Sequence, residues 1–379
     1  MTNEEIKNNM YVLDHLFDME LGKAISRDVI SLLDKTYFRS VLIGFEEQEY
    51  PQRNNPERPL IFASNHSGMA FPWDAMIFVN RIHTLTNYDK NAIRALTAPM
   101  LSASNLMNPY QIPHFWKKVG GGVDATTLNF ETVMQQNDFN VMIYPEGVPG
   151  IGKGFNRKYQ LQKLSTSMVR MSIKYQTDII PFAVINGEYI NPYTYSSKVL
   201  NKIVNFLGIP FLPLGFITPW IILFPWIFYM GFPAKLIFVL GKRIKPYEMT
   251  DKSFEAMDYD DFRAVADKIH EQMQKELSEA EQKYGKKPYQ WREFFKEQLQ
   301  NFKYFPYTLP FGWPLLFAEF ERLRIKKQDL STPLKLGWGS CLRIIFKNPK
   351  VLAYYIPILG WIPLAINGLK RVKEPKKPH

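Results

Sequence analysis

The sequence predicts an α/β fold, with a mixed central sheet and flanking helices, to which interfacial hydrophobic segments are added. Short apolar runs at residues 60–63, 140–144 and 179–185 have the length and composition of buried strands. Helical patterns of about ten residues separate these runs, and this alternation is typical of α/β domains whose loops at the strand ends carry function. At 379 residues, the chain is long enough for one large domain with appendages.

The remaining elements follow from the spacing of apolar residues along the chain. Residues 1–37 are predicted to be helical, because apolar positions recur there at steps of three and four. Other strands are predicted at 41–45, 92–97 and 235–241, other helices at 72–82, 126–136, 162–175 and 259–284, a short helix and loop at 99–107, and a glycine turn within 116–124. The chain then divides into an N-terminal helical segment (1–39), a main domain (40–285) and a C-terminal extension (286–379).

Charge and aromatic content narrow the choice of partners. The formal net charge is +11, and 15% of the residues are Phe, Trp or Tyr, clustered with proline in apolar stretches. This combination favours an anionic membrane surface over nucleic acid. Cys341 is the only cysteine, so an internal disulfide is excluded and a reducing compartment is expected. The first 20 residues lack a basic region followed by an apolar run, so no signal peptide is predicted.

Two long uncharged stretches, 203–234 and 351–369, predict contact with a lipid surface. The first exceeds the roughly 20 apolar residues that span a bilayer, but five prolines interrupt it and each removes a backbone donor. Because unpaired backbone is not tolerated against lipid, we expect this stretch to lie in the interface rather than to span. A buried excursion that caps the core is the alternative. The basic tail, 370–377, suits anionic headgroups or is simply a disordered end.

A histidine motif follows the apolar run at 60–63. Asn65 and His66 stand where the strand is predicted to end, and Asp74 stands in the first turn of the next helix, which Pro72 begins. A histidine held by a nearby carboxylate is a common general base near neutral pH. Gly68 permits close approach of a ligand to the backbone. The alternative is that the His and the Asp serve only the structure of the two element ends.

A second motif, Tyr144-Pro145-Glu146-Gly147, follows the apolar run at 140–144. From Gly147 to Lys153 the chain also fits the Gly-x-x-x-x-Gly-Lys pattern of a phosphate loop, but Gly154 stands where a Ser or Thr must bind magnesium. This substitution argues against nucleotide hydrolysis. The sequence has no Gly-x-Ser-x-Gly for a serine nucleophile, and its histidines lack the spacing of metal ligands, so no metal site is expected.

Together, the two motifs resemble those of the glycerolipid acyltransferase family, in particular a bacterial branch of these phosphate acyltransferases. The resemblance covers about residues 40–250 and implies that the main domain is an acyltransferase domain. It implies that His66 is the general base and that Asp74 holds its tautomer and stabilises the imidazolium. The expected substrate-binding residues are Asn65, Ser67, Gly68, Glu146, Gly147, Gly150, Lys153 and Arg157.

The sequence departs from the family pattern at two places. Phe71 stands where the family has its aspartate, and Asp74 lies three residues further on. Val148 and Pro149 stand where members that bind a phosphorylated acceptor often have an arginine. Either Lys153, Arg157 or a neighbouring lysine binds the phosphate, or the acceptor carries none.

The expected function is therefore that of a membrane-associated O-acyltransferase on the cytoplasmic face. It would move a fatty acyl group from acyl-CoA or acyl carrier protein, as co-substrate, to a lysophospholipid, foremost 1-acyl-glycerol-3-phosphate, without a further cofactor. The alternatives are transfer to a neutral or amino-acid-derived lipid hydroxyl, and a non-catalytic lipid-binding scaffold. The expected partners are an anionic membrane surface, a lipid acceptor and the acyl donor, and no nucleic acid.

Overall fold

A computed structural model of the chain describes residues 1–46, 48–103, 105–205 and 212–368. Within these ranges, seven strands form one sheet in the order β1-β7-β6-β2-β5-β3-β4. The strands are β1 (Val41–Ile43), β2 (Ile61–Ser64), β3 (Ile93–Thr97), β4 (Val123–Asp124), β5 (Asn140–Ile143), β6 (Ile179–Ile185) and β7 (Ile237–Leu240). Strands β2 to β6 run in parallel, whereas β1 and β7 run in the opposite direction. The predicted α/β fold with a mixed sheet is confirmed.

The helices cover both faces of this sheet. They are α1 (Asn3–Asn9), α2 (Met19–Ile25), α3 (Ser31–Leu33), α4 (Trp73–Leu85), α5 (Pro99–Ala103), α6 (Phe115–Gly120), α7 (Thr127–Val133), α8 (Gly147–Ile151), α9 (Ser167–Tyr175), α10 (Lys198–Asn205), α11 (Thr218–Leu223), α12 (Tyr259–Tyr284), α13 (Trp291–Gln300), α14 (Phe305–Thr308), α15 (Trp313–Phe320), α16 (Trp338–Lys347) and α17 (Trp361–Pro363). Segments of π-helix lie at Ser26–Ile30, Asp34–Phe38, Glu321–Lys326 and Leu364–Gly368. Short 3-10 turns connect many of these elements.

The central strands are buried on both sides, as parallel strands between two helical layers must be. In β2, Ile61 and Ala63 face the layer that contains α12, whereas Phe62 faces the layer that contains α4. Helix α12 begins with a capping box between Asp258 and Asp261 and packs along β6. Because β2 lies between β5 and β6 and is parallel to both, the carboxyl ends of these three strands lie side by side at one end of the sheet.

The elements differ from the sequence prediction in two details. The region 116–124, predicted as a glycine turn, forms α6 through Gly120 and then β4, because Val123 finds a partner in β3. The predicted helical segment 1–37 is broken into short α-helices and two π-helical segments. Asp28 in the first π-helical segment binds Arg324 of the C-terminal extension (Nε to Oδ2, 2.8 Å), and both side chains are buried. This ion pair joins the two ends of the chain.

The described part of the uncharged stretch 203–234 contains only short elements. Pro219 lies in the first turn of α11, and Pro225 begins the 3-10 turn Pro225–Tyr229. These prolines break the stretch into short elements, as its composition predicts. Within the described ranges, no helix is both long and apolar enough to cross a membrane. Residues 206–211 of this stretch lie outside the described residues, as do 369–379, which include the basic tail.

Candidate active site

Asn65 fixes the loop that follows β2. Its side-chain oxygen accepts a hydrogen bond from the Val184 amide (2.8 Å), and its nitrogen donates to the Val184 carbonyl (3.1 Å). The side chain is buried, and these two bonds tie the end of β2 to the carboxyl-terminal part of β6. Sequence reasoning placed Asn65 among the substrate-binding residues, whereas the structure engages its amide with the sheet.

His66 is held by two contacts from the residues after β5. Its ring stacks on Tyr144, with 4.2 Å between the ring centroids and 17° between the planes. Its backbone amide donates a hydrogen bond to Glu146 Oε1 (2.7 Å). A Cβ at Gly150 would lie 2.5 Å from Glu146 Cβ and 3.0 Å from His66 Cδ2, so glycine at this position leaves space for both side chains. Two residues of the second motif thus orient the histidine of the first.

The imidazole of His66 is neutral at physiological pH. Burial, and then the positive charge of Lys153, lower the pKa of His66 to about 3. Among the described residues, no side chain or backbone group forms a hydrogen bond with the ring. The ring is therefore neutral, and its nitrogens are not engaged within the described part of the protein.

Asp74 meets Ser67 rather than His66. The Ser67 hydroxyl donates a short hydrogen bond to Asp74 Oδ2, and both side chains are buried. Burial raises the pKa of Asp74, which the Ser67 hydroxyl and the backbone amides at the start of α4 partly offset. Sequence reasoning expected direct contact between Asp74 and His66. The structure instead places the hydroxyl of the intervening serine against the carboxylate.

The loop between His66 and α4 explains this arrangement. Gly68 has a φ of +79°, and the Ala70 amide donates to its carbonyl (2.8 Å), so the chain turns sharply after Ser67. Phe71, at the position where the family has its aspartate, is buried against Trp116 and Tyr229. An aromatic core residue therefore occupies that position, and the carboxylate of the first motif lies in the first turn of α4.

Lys153 lies in a buried ion network. Its ammonium is 3.7 Å from Glu146 Oε2 and 3.7 Å from Glu188 Oε1, and all three side chains are buried. Glu146 also accepts a hydrogen bond from the Gln162 amide (2.7 Å). Burial raises the pKa of Glu188, and the charge of Lys153 opposes this rise. Both oxygens of Glu146 are thus occupied within the protein, and Lys153 is enclosed between two carboxylates.

The other expected substrate-binding residues lie at different depths. Arg157 is exposed and binds Gln162 (3.1 Å). Gly147 has a φ of +59° and turns the chain after Glu146, and its amide donates to the Tyr144 carbonyl (3.0 Å). Gly68, Ser67 and Gly147 border a cavity, whereas Lys153 and Arg157 are not among its lining residues.

That cavity has a volume of about 430 Å³ and opens in front of His66. Asp74 and Tyr144 also line it, and most of its other walls are apolar side chains from α2, α4, α6, the loop after β3 and the segment 213–230. It follows α4 from Asp74 to His83, which at 1.5 Å per residue is a length of roughly 14 Å. Among the described residues that line it, none is Lys or Arg. The shape and chemistry suit an extended apolar ligand.

Sequence reasoning missed the contribution of the loop after β6. Gly187 leaves the space that the Ser67 hydroxyl occupies, and Glu188 completes the ion network. Asn191 lines the cavity and donates to the Met69 carbonyl (2.7 Å). The signal was present in the topology, because the residues that follow three adjacent parallel strands must meet at one edge.

The described residues contain no group of three or more His, Cys, Asp or Glu side chains that could hold a metal ion. The Ser67–Asp74 pair and the Lys153 network are held together by hydrogen bonds and ion pairs within the protein, whereas the Tyr144 hydroxyl, Glu188 Oε2 and Asn191 Oδ1 are buried without a partner among the described residues.

Comparison with known proteins adds little about activity. No family model matches the sequence. An uncharacterized protein of Mycobacterium leprae (strain TN) is 26% identical over 278 residues, which are 70% of this chain and 67% of that protein. An uncharacterized protein of Mycobacterium tuberculosis (strain H37Rv) is 24% identical over 270 residues, 69% of this chain and 67% of that protein.

One solved structure also shows similarity. It is the crystal structure of the 1-acyl-sn-glycerophosphate (LPA) acyltransferase PlsC from Thermotoga maritima. The TM-score is 0.34 at 11% identity, over 66% of this chain and 80% of that chain. A TM-score below 0.5 does not establish a common fold, so the functional argument rests on the site itself.

Proposed function

We propose that the protein is a membrane-associated O-acyltransferase that moves a fatty acyl group from a thioester to a lipid hydroxyl. The observation that carries this proposal is a neutral histidine, fixed by two contacts, in the wall of an apolar cavity of about 430 Å³. The acyl chain would occupy the cavity along α4. The thioester would come from acyl-CoA or acyl carrier protein.

In the proposed mechanism, His66 removes the proton from the acceptor hydroxyl while the oxygen attacks the thioester carbonyl. The C–O bond forms, the C–S bond breaks, and the proton passes from the imidazolium to the thiolate. Asp74, which shares the cavity, stabilises the imidazolium by its charge and is itself held by Ser67. A thioester is already activated, so no protein nucleophile is required.

The charge of the cavity favours a neutral acceptor. Lys153, which sequence reasoning named as a candidate phosphate ligand, is enclosed between two carboxylates, and no Lys or Arg is among the described lining residues. A phosphate monoester would therefore lose its water without gaining a counter-charge. We propose a neutral or amino-acid-derived lipid hydroxyl as the acceptor. 1-Acyl-glycerol-3-phosphate remains the second candidate, because Arg157 and Lys163 are exposed cations in the segment between α8 and α9.

The membrane proposal is supported by an exposed apolar face. Its members are Phe216, Trp220, Ile222, Leu223, Ile356, Ile358, Leu359, Ile362 and Ile366. The two parts are joined, because the Ile358 amide donates to the Leu223 carbonyl (2.8 Å) and the Trp361 indole donates to the Ile222 carbonyl (2.7 Å). On the same segment, Ile217 and Ile221 line the cavity. A lipid substrate would thus pass from a bilayer, which we place at the cytoplasmic face, past α11 to His66.

An acyl-transfer assay tests the enzymatic proposal. Purified protein in detergent receives labelled acyl-CoA with a monoacylglycerol, an aminolipid or 1-acyl-glycerol-3-phosphate, beside the variants His66→Ala and Asp74→Asn. We expect transfer to the neutral acceptors, with losses of at least 10²-fold in His66→Ala, the range typical of a general base. Transfer by neither wild type nor any variant would favour a non-catalytic lipid-binding scaffold, whereas full activity in His66→Ala would show that His66 is not the general base. Faster transfer to 1-acyl-glycerol-3-phosphate would overturn the acceptor proposal alone.

Flotation with liposomes tests the membrane proposal. We expect wild type to float with anionic vesicles and the triple variant Phe216→Ser, Ile222→Ser, Ile358→Ser to remain at the bottom, because it loses apolar area from the exposed face. Leu85→Ser, which changes an exposed leucine at the end of α4, is the matched control and should float. Equal flotation of wild type and the triple variant would show that this face does not bind lipid.

A further inference from the structure

Tyr144 holds a hydroxyl for which the proposed mechanism has given no role. The residue follows β5, and its ring lies parallel to the imidazole of His66 at 4.2 Å. Tyr144 lines the cavity, and its hydroxyl oxygen is buried and has no hydrogen-bond partner among the described residues. Buried hydroxyls normally have a partner, and those that lack one are often found where a ligand supplies it.

The chemistry of this hydroxyl suits one task. Burial, and then the Asp74 carboxylate, raise the pKa of Tyr144 well above its ordinary value, so the phenol keeps its proton. It can therefore donate a hydrogen bond at any physiological pH. The Gly147 amide in the turn that follows is not available as a second donor to the same ligand, because it already donates to the Tyr144 carbonyl (3.0 Å).

The position of the hydroxyl restricts its partner. His66 takes a proton from the acceptor oxygen, and that oxygen must touch the carbonyl carbon of the thioester when it attacks. The carbonyl oxygen is bonded to that carbon, so it lies next to the imidazole of His66. It therefore also lies next to the Tyr144 ring, which stacks on the imidazole. As the tetrahedral intermediate forms, this oxygen becomes an anion that needs a preorganised donor.

We propose that Tyr144 is a further catalytic residue, whose hydroxyl donates a hydrogen bond to the acyl carbonyl oxygen as negative charge develops on it. This inference rests on the proposed acyl transfer. Tyr144 transfers no proton: the acceptor proton goes to His66 and then to the thiolate, and the electron pair of the cleaved C–S bond stays on sulfur. The stacked ring orients the base, and the hydroxyl stabilises the oxyanion.

Replacement of Tyr144 by phenylalanine separates the two contributions. Tyr144→Phe keeps the ring that stacks on His66 and removes only the hydroxyl. We expect kcat to fall about 10²-fold, the loss typical for one oxyanion donor, while KM and the melting temperature stay at the wild-type values. Binding of an S-alkyl-CoA thioether, which has no carbonyl, should be equal in wild type and variant.

The matched control is Tyr110→Phe. The Tyr110 hydroxyl is also buried without a partner among the described residues, but its ring stacks on Phe317 of the C-terminal extension and it is not a lining residue of the cavity. This variant should keep the wild-type kcat.

Three outcomes would overturn the proposal. The first is a wild-type kcat in Tyr144→Phe. The second is a loss of thioether affinity that matches the loss of kcat, since Tyr144 would then serve donor binding. The third is an equal loss in Tyr110→Phe. In each of these cases the proposed function stands, because wild type transfers the acyl group and His66→Ala does not. If wild type transfers nothing, both proposals fall together.

Discussion

Gly187→Ala is the sharpest test of the way in which the site is held. An ideal Cβ at Gly187 would overlap the Ser67 hydroxyl and lie 2.7 Å from Ser67 Cβ. Rotation of the serine side chain relieves only the first contact, so the backbone must also move. The backbone of Gly187 itself has no positive φ, which makes Ser67 the main source of the strain. The substitution should therefore push Ser67 away from Asp74.

The expected magnitude has two parts. Loss of the Ser67 hydrogen bond to a buried carboxylate costs about 1.5–3 kcal/mol. Overpacking against Ser67 Cβ costs about 1–3 kcal/mol more. We expect the free energy of unfolding to fall by about 2.5–6 kcal/mol, together with acyl-transfer activity. In a Ser67→Ala background the hydrogen bond is already absent, so Gly187→Ala should cost only the second part.

Denaturant unfolding in detergent, followed by circular dichroism, measures these differences. Gly339→Ala in α16 is the control, because its added Cβ meets no atom within 4 Å, and it should stabilise the helix by about 0.5–1 kcal/mol. Wild-type stability of Gly187→Ala would refute the reasoning. So would strictly additive losses in the double variant Ser67→Ala, Gly187→Ala, because the two residues would then not share a contact.

Four further predictions concern the base and its surroundings. The low pKa of His66 keeps it a free base until the pH falls toward about 3, so kcat/KM should stay level down to about pH 5 instead of falling near 6.5. Lys153→Met removes the positive charge that lowers this pKa, so the acid limb of the same profile should move to higher pH. Asn65→Ala leaves both backbone groups of Val184 unpaired and should lower the free energy of unfolding by about 2–4 kcal/mol in urea titrations. Gly150→Ala, with its Cβ 3.0 Å from the His66 ring, should lower kcat more than it raises KM.

The strands were predictable because burial on both faces leaves a simple signature in sequence. The runs at 60–63, 140–144 and 179–185 became β2, β5 and β6 within one residue at each end. Strand β4 has only two residues, and its existence depends on the partner that β3 offers. No local pattern of so short a segment distinguishes a strand from a turn.

The candidate site was predictable in its residues but not in its contacts. His66, Asp74 and Glu146 were placed near one another because they follow or face the ends of adjacent strands. The partner of Asp74 depends on how the loop 67–72 turns, and the turn is set by Gly68 and by distant residues such as Gly187. Lys153 was a candidate phosphate ligand in the sequence, whereas the structure encloses it between Glu146 and Glu188. Glu188 lies in the loop after β6, and no local pattern predicts that it contacts Lys153.

The phenylalanine at position 71, where the resemblance would lead one to expect an acid, links the site to the rest of the fold. Phe71 packs on Tyr229, whose segment also contributes Phe228 and Met230 to the cavity, so the loop after His66 is anchored in the same apolar region that we propose receives the lipid. An aspartate at 71 would place a charge in that region at a high desolvation cost. Asp74 on α4 instead contacts the hydroxyl of Ser67, and the cavity wall beside Phe71 stays apolar. The longer motif thus keeps a charge out of the apolar region in which we propose that the lipid binds.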